Sequence, residues 1–197
     1  MEITAKMVSE LRSRTGAGIM DCKKALTETN GNIDQAIQKL REEGLRASEL
    51  KGSRAAKEGL IISYIHPGSR VGTLVELNCE TDFVARTEPF QQLGKDIAMQ
   101  VAAAKPKYLS PEDVPAEDLE AEKAILKAQA EKEGKPAHIA ERIVEGRISK
   151  FYAETCLLQQ PYIRDTDKTV ETLVKDAIAQ LGENIVIKRF VLYVLGQ

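Results

Sequence analysis

The segment of residues 76–86, with the sequence ELNCETDFVAR, restricts the possible folds of this chain more than any other segment. Residues 70–79 are rich in apolar and β-branched side chains, which favours a buried β-strand. The acidic residues that follow interrupt this pattern, and Thr81 or Asp82 can cap the N-terminus of a helix. The sequence therefore predicts a strand that ends in a corner and continues as a helix, with Phe83 at the corner, where functional residues often lie.

Two further apolar runs predict the strands that accompany this one. Residues 59–65 have the β-branched content of a strand, and residues 66–69 (HPGS) form a turn sequence before residues 70–79. We therefore expect an antiparallel hairpin. Residues 184–195 (NIVIKRFVLYVL) predict a final strand, and it can supply the third strand that a stable sheet needs.

Helical patterns fill the sequence between the hairpin and the final strand. The predicted helices span residues 90–104, 116–133, 137–156 and 169–181. Residues 134–136 (GKP) are expected to end the second of these, and residues 159–167 are expected to form a loop. This order predicts an α+β fold in which helices cover one face of a small antiparallel sheet.

The N-terminal part predicts a small module of three helices. The helices are expected at residues 4–14, 19–29 and 33–43, with Gly44 as the stop signal of the third. Residues 45–58 carry four basic side chains and are interpreted as a basic linker, which is either a solvated, partly helical connector or a contact for an acidic partner surface. The predicted domain organisation is therefore residues 1–44, 45–58 and 59–197.

The composition argues against several classes of protein. A net charge of −2 over 197 residues is not that of a nucleic-acid-binding protein that relies on a positive surface, so no direct nucleic-acid partner is expected. No apolar run approaches the roughly 18–20 residues of a membrane span, and no signal-peptide pattern is present. The cysteines at positions 22, 79 and 156 are isolated, which is typical of free thiols in a reducing compartment. We expect a cytoplasmic protein without a membrane contact.

A search for catalytic patterns leaves little to support an enzyme. The sequence has neither a phosphate-binding P-loop nor a dinucleotide-binding glycine pattern, and His66 and His138 have no partner at a catalytic spacing. Cys79 follows an apolar run, which favours a buried thiol over a nucleophile. Glu80 and Asp82 allow a Mg²⁺ pair, although such sites usually recruit phosphates as well. We predict no catalytic residue, no metal site and no cofactor.

Two long motifs resemble the signatures of the elongation factor Ts family. One is ELNCETDFVAR, and the other is LRSRTGAGIMDCKKAL at residues 11–26. The similarity continues through residues 134–162, so it covers nearly the whole chain. The resemblance implies a non-enzymatic nucleotide-exchange factor whose partner is elongation factor Tu. It also implies that the three N-terminal helices form a bundle of the ubiquitin-associated type.

The resemblance also implies which residues bind the partner. In this family the pair that matches Asp82 and Phe83 acts as a wedge that enters the guanine-nucleotide domain of elongation factor Tu and disturbs its Mg²⁺ site. Thr81 and Val84 would fix the angle of that wedge. From local pattern alone, a helix cap is favoured for Asp82 and a core position for Phe83, and the resemblance reverses this interpretation.

The same resemblance implies contacts outside the wedge. A second contact would come from the N-terminal module, and the residues expected to make it are Arg12, Ile19, Met20 and Lys23. A third contact region of the family matches residues 97–106, where Gln100 stands at a position that is His in many members. Glutamine can keep a hydrogen bond there but cannot titrate.

The final strand bears on oligomeric state and on the alternatives that stay open. Short members of the family can form homodimers through the core sheet, and residues 187–195 contain no cysteine, so any such dimer is expected to be non-covalent. One alternative function is a ubiquitin-associated-type adaptor that binds a partner through residues 1–58. Another is a small hydrolase that uses Cys79 or His66.

Overall fold

Helices and a small antiparallel sheet make up the computed structural model, which describes residues 3–132 and 137–197. The helices of this described part are α1 (Ala5–Thr15), α2 (Ile19–Glu28), α3 (Ile33–Lys51), α4 (Asp82–Ala85), α5 (Glu88–Ala104), α6 (Ala116–Lys132), α7 (Ala137–Thr155) and α8 (Val170–Leu181). The strands are β1 (Glu58–Ile65), β2 (Val71–Cys79), β3 (Pro161–Tyr162), β4 (Asp165–Thr169) and β5 (Val186–Val194). The predicted α+β class is confirmed.

The three long strands form one sheet in the order β1-β2-β5, so the final strand lies at an edge. The predicted hairpin is closed by the His66 N–H, which donates to the Val71 carbonyl at 2.9 Å. On the other side of β2, the Leu195 N–H donates to the Arg70 carbonyl at 2.8 Å. Alternate residues of β2 are buried, as expected for a strand with one face on a core.

The chain divides into two compact units. The first contains the described residues up to Ile61 together with Glu76–Gly94 and Thr172–Lys188. The second contains Ile62–Val75, the described part of Lys95–Glu171, and Arg189–Gln197. The domain boundaries at residues 44 and 58 stay a prediction.

The three predicted N-terminal helices are confirmed in the first unit. Thr4 caps α1, since its hydroxyl accepts the Met7 N–H at 3.3 Å. The helices pack around a small core whose fully or almost fully buried members are Leu11, Cys22, Ala25, Leu26 and Ala36. Such a core is small, so the helices depend on close packing with their neighbours.

The predicted end of α3 at Gly44 is wrong. The helix continues to Lys51, so the first half of the proposed linker at residues 45–58 is helical. Good helix formers follow Gly44 in the sequence, and a Cβ at this glycine would lie 3.0 Å from the Ala179 Cβ of α8. Gly44 therefore serves close helix packing and does not act as a stop signal.

The loop predicted at residues 159–167 is also wrong in part. A 3₁₀ turn covers Leu157–Gln159, and β3 pairs with β4 in an antiparallel ribbon that joins Pro161 to Thr169. The sequence of β4, DTDKT, has little strand propensity, so this pairing arises from its neighbour in space. The helix end predicted at residues 134–136 and the side chain of His138 lie outside the described residues.

Candidate functional site

The corner after β2 has the geometry expected from the sequence. The strand ends at Cys79, and Thr81 is the N-cap of α4, with its hydroxyl accepting the Val84 N–H at 3.4 Å. The helix has only four residues before the chain turns into α5. The strand, corner and helix are confirmed, and Thr81, not Asp82, provides the cap.

Phe83 projects from this corner into solvent. Its exposed fraction is 77%, whereas Phe90 of α5 is fully buried. The interpretation of Phe83 as a core residue is therefore excluded. Removing such a side chain from water is worth about 1.5–3 kcal/mol, so the corner presents an apolar group that gains free energy when a partner covers it.

Asp82 lies beside Phe83 and carries an accessible carboxylate. Its Oδ2 accepts a hydrogen bond from Arg86 Nη2 at 2.7 Å, and both side chains are substantially exposed. Exposed pairs of this kind contribute about 0.2–1 kcal/mol. The Arg86 contact is therefore weak enough for a partner to replace it.

A second pair of residues, which sequence reasoning did not find, anchors the corner. Glu183 Oε2 accepts the N–H groups of Glu80 at 3.1 Å and Thr81 at 3.0 Å. Its Oε1 accepts the Thr81 hydroxyl at 2.6 Å. The Asn184 N–H donates to Glu80 Oε1 at 2.7 Å. No sequence-spacing rule connects residues about a hundred positions apart, so these hydrogen bonds can be recognised only in the folded structure.

The possible Mg²⁺ pair formed by Glu80 and Asp82 loses support at this corner. Glu80 and Asp82 do not form a metal pair, because Glu80 is bound by Asn184 and Arg54 and Asp82 by Arg86. Within residues 3–132 and 137–197, no group of three or more His, Cys, Asp or Glu side chains is arranged to hold a metal ion.

Cys79 is a poor nucleophile in this environment. Its side chain is fully buried, and its Sγ donates to the Thr81 carbonyl at 3.1 Å. Burial raises the pKa of the Cys79 thiol, and the negative charge of Glu183 raises it further. The thiol is therefore protonated at neutral pH. His66, the other residue of the hydrolase hypothesis, sits in an exposed contact with the Tyr64 hydroxyl at 3.0 Å.

The N-terminal residues Ile19, Met20 and Lys23 form one exposed face of α2. Positions three and four apart lie side by side on a helix, and all three residues are exposed, Met20 by 74%. The opposite face of α2 is buried in the three-helix core. Arg12 of α1 is exposed as well. This face and the Asp82–Phe83 corner belong to the same compact unit.

Gln100 is placed differently from the other expected contacts. It is 1% exposed and lies in the second unit. Its Nε2 donates to Gln160 Oε1 and to the Pro161 carbonyl, both at 3.1 Å, and its Oε1 accepts the Ile163 N–H at 2.9 Å. These bonds use the amide to join α5 to the β3–β4 ribbon, so in this conformation Gln100 has a structural role.

None of the described helices combines the length and apolar character needed to cross a membrane.

The part of the chain that the structure describes offers two exposed surfaces in its first unit: the Asp82–Phe83 corner and the α2 face. Each combines apolar area with charge, a combination typical of protein-binding surfaces.

Comparison with known proteins gives matches over the full length. The sequence model described as Elongation factor TS matches residues 2–197. Elongation factor Ts of Caldanaerobacter subterraneus subsp. tengcongensis is 61% identical over 195 residues, which cover 99% of this chain and 98% of that protein. Elongation factor Ts of Desulforamulus reducens is 58% identical over 196 residues, covering 100% and 90%. Elongation factor Ts of Geobacter sulfurreducens is 56% identical over 197 residues, covering 100% and 91%.

Proposed function

The chain belongs to the elongation factor Ts family, and on that basis we propose that it binds elongation factor Tu and promotes the release of GDP during translation elongation. The full-length match supports this proposal, and the exposed pair Asp82 and Phe83 is the observation that carries it. An adaptor that used only its N-terminal bundle would not need this corner. The protein would act in the cytoplasm together with elongation factor Tu, without a direct contact to nucleic acid or membrane.

The proposed mechanism follows from thermodynamic linkage. In GTPases of this class Mg²⁺ bridges the terminal phosphates and protein oxygens. Phe83 fills an apolar pocket in the guanine-nucleotide domain, and Asp82 exchanges its Arg86 contact for a donor on the partner. Both displace the elements that hold Mg²⁺ and so weaken GDP binding. By reciprocity GDP weakens the binding of the factor to the same extent, and no covalent step is involved.

The α2 face provides the second proposed contact. Ile19 and Met20 supply exposed apolar area, and Met adapts its shape to an irregular surface. Lys23 and Arg12 add positive charge at the edge of this area. We expect them to meet an acidic region of the guanine-nucleotide domain, while the corner approaches the Mg²⁺ site.

The outer face of the sheet is the proposed homodimer contact. Exposed apolar side chains from three strands and from the residue that follows β5 lie in the second unit, and they are Ile65, Leu74, Val191, Tyr193 and Leu195. An edge strand such as β5 also has unpaired backbone groups that can pair with another strand. A second copy of the chain presents the same surface and can cover both features through a two-fold axis.

Stopped-flow release of fluorescent GDP from elongation factor Tu tests the exchange function. The protein should accelerate release well above the spontaneous rate, and a rate equal to the spontaneous one contradicts the proposal. The Mg²⁺ step has its own test, which is the same assay in excess chelator. If the factor acts by disturbing the Mg²⁺ site, its acceleration should shrink once Mg²⁺ has already been removed.

A further inference from the structure

The turn after α8 reaches the Asp82–Phe83 corner from a distant part of the sequence. Gly182 ends α8 with φ at +80°, a backbone conformation that residues with a side chain rarely adopt. Its N–H donates to the Ile178 carbonyl at 3.0 Å, which closes the last turn of the helix. The chain changes direction at this glycine, and Glu183 and Asn184 follow immediately at the corner.

Glu183 controls the group that starts α4. The Thr81 hydroxyl has a single proton, which it donates to Glu183, so its lone pairs remain free to accept the Val84 N–H. The Glu183 carboxylate thus fixes the side-chain rotamer in which Thr81 acts as a cap. A helix of four residues is not stable on its own, so the direction of α4 depends on this cap.

Asn184 ties the same corner to the segment that follows α3. Its side chain is 3% exposed, and its Nδ2 donates to the Arg54 carbonyl at 2.7 Å and to the Gly52 carbonyl at 3.4 Å. Arg54 in turn approaches Glu80 Oε1 at 3.5 Å. Two adjacent residues after α8 therefore hold two adjacent residues of the corner, and a third chain segment braces them.

We propose that Glu183 is a positioning residue for partner binding: by holding Glu80 and Thr81 it presets the corner that presents Asp82 and Phe83. The inference rests on the proposed function, because it needs a partner that the corner engages. A corner that is already ordered binds without the entropic penalty of being ordered on contact. Loss of Glu183 should therefore weaken the productive encounter and leave the contacting side chains intact.

Amide hydrogen exchange, measured by NMR on the full chain, tests the positioning directly. In Glu183→Ala the N–H groups of Glu80 and Thr81 lose their acceptor and should exchange at least about tenfold faster. Glu183→Gln should change them less, because its amide oxygen can still accept both N–H groups and its NH₂ can donate to the Thr81 hydroxyl. Glu117→Ala, an exposed glutamate at the start of α6, is the matched control and should leave both amides unchanged.

The GDP-release assay tests whether this positioning matters for the partner. The second-order rate constant for stimulated release should fall about tenfold in Glu183→Ala and stay within about threefold of the wild type in Glu183→Gln. If Glu183 acts through the corner, the change to Ala should have little further effect in a Phe83→Ala background. A general loss of stability would instead reduce the rate constant by the same factor in both backgrounds.

The outcomes separate the inference from the function on which it rests. The positioning role is overturned if Glu183→Ala leaves the amide protection of Glu80 and Thr81 unchanged. It is also overturned if Glu183→Ala lowers the rate constant of stimulated release by the same factor in the wild-type and Phe83→Ala backgrounds. In either case the proposed exchange function stands as long as Phe83→Ala alone lowers that rate constant. If Phe83→Ala stimulates GDP release as fast as the wild type does, the corner has no role in exchange. The partner-binding part of the inference then fails.

Discussion

Phe83 and Phe90 lie seven positions apart and occupy opposite environments. Phe90 of α5 is fully buried, whereas Phe83 is 77% exposed on a four-residue helix. The fold therefore gains little from the ring of Phe83. Its apolar area, worth about 1.5–3 kcal/mol when fully buried, remains available for association.

The substitution Phe83→Ala should remove most of the stimulated GDP release while leaving the fold intact. We expect the second-order rate constant to fall at least about tenfold, in line with the loss of one buried aromatic contact. Asp82→Ala should cause a smaller loss, because it removes one polar contact. Stopped-flow release measures the rate, and thermal unfolding should give a melting temperature close to that of the wild type.

Ile125→Ala is the matched control for Phe83→Ala. Ile125 is an exposed apolar residue on α6 in the second unit, so its loss should leave release unchanged and have at most a small effect on stability. A Phe83→Ala protein that melts many degrees lower would contradict the exposed, non-structural role of the ring. A fully active one would contradict its role as a wedge.

Local sequence rules find Thr81 but not the exposure of Phe83. A threonine or an aspartate before a helix can cap it, so the pattern left Thr81 and Asp82 as the two candidates and the structure assigns the cap to Thr81. Local pattern favoured a core position for Phe83, and only the resemblance to a family favoured exposure. Glu183 lay beyond both kinds of reasoning, because its bonds to Thr81 span 102 positions.

Two glycines inside helices, Gly44 of α3 and Gly146 of α7, lead to opposite predictions. Replacing a helix-interior glycine by alanine normally stabilises by about 0.5–1 kcal/mol. At Gly146 nothing lies within 4 Å of the new Cβ, so Gly146→Ala should show this gain. At Gly44 the new Cβ would meet the Ala179 Cβ at 3.0 Å. Gly44→Ala should therefore destabilise by up to about 2 kcal/mol, since overpacking outweighs propensity.

Urea unfolding of both variants, together with Ala179→Gly, measures this difference. The double variant Gly44→Ala with Ala179→Gly should recover part of the stability lost by Gly44→Ala, because the crowded pair has been relieved. Equal stabilisation by Gly44→Ala and Gly146→Ala would show that α3 and α8 are not in close contact at Gly44.

The helices and long strands followed from periodicity, whereas short elements did not. Each long element carries several turns or alternations of apolar residues, so its pattern stands out from the flanking loops. The β3–β4 ribbon has few residues and a polar second strand, and its pairing depends on tertiary neighbours. The end of α3 was missed because the rule for a terminal glycine takes no account of a second helix.

The stability of the whole chain should fall in mildly alkaline solution. Burial raises the pKa of the Cys79, Cys156 and Tyr162 side chains. These groups are neutral when protonated, so the folded state keeps its protons to a higher pH than the unfolded state does. Their contribution is complete below the unfolded cysteine pKa of about 8.5 and is lost as pH rises through the folded values.

Urea unfolding at several pH values between neutral and about 10 checks this prediction. The free energy of unfolding should decrease steadily above about pH 8.5, and Cys156→Ala should show a shallower decrease because one buried thiol is gone. A free energy of unfolding that is constant or rises over this range would contradict the sign derived from the buried thiols.

The proposed homodimer rests on the edge position of β5 and the apolar outer face beside it. Covering this face in a two-fold dimer would hide Tyr193 and Leu195, and a stable dimer of this kind buries about 800 Å² per partner. Sedimentation equilibrium should therefore detect a concentration-dependent dimer. Tyr193→Asp should raise its dissociation constant at least about tenfold, because an unpaired charge would be buried at the contact.

Ile125→Asp, which places the same charge on the exposed face of α6, should leave the dimer unchanged and controls for the effect of net charge. Phe83→Ala should also dimerise normally, since Phe83 belongs to the first unit and the outer face to the second. Conversely, Tyr193→Asp should retain stimulated GDP release if exchange needs only the corner and the α2 face. A wild-type protein that is monomeric at about 100 µM would rule out the proposed dimer, whereas loss of release in Tyr193→Asp would show that exchange depends on it.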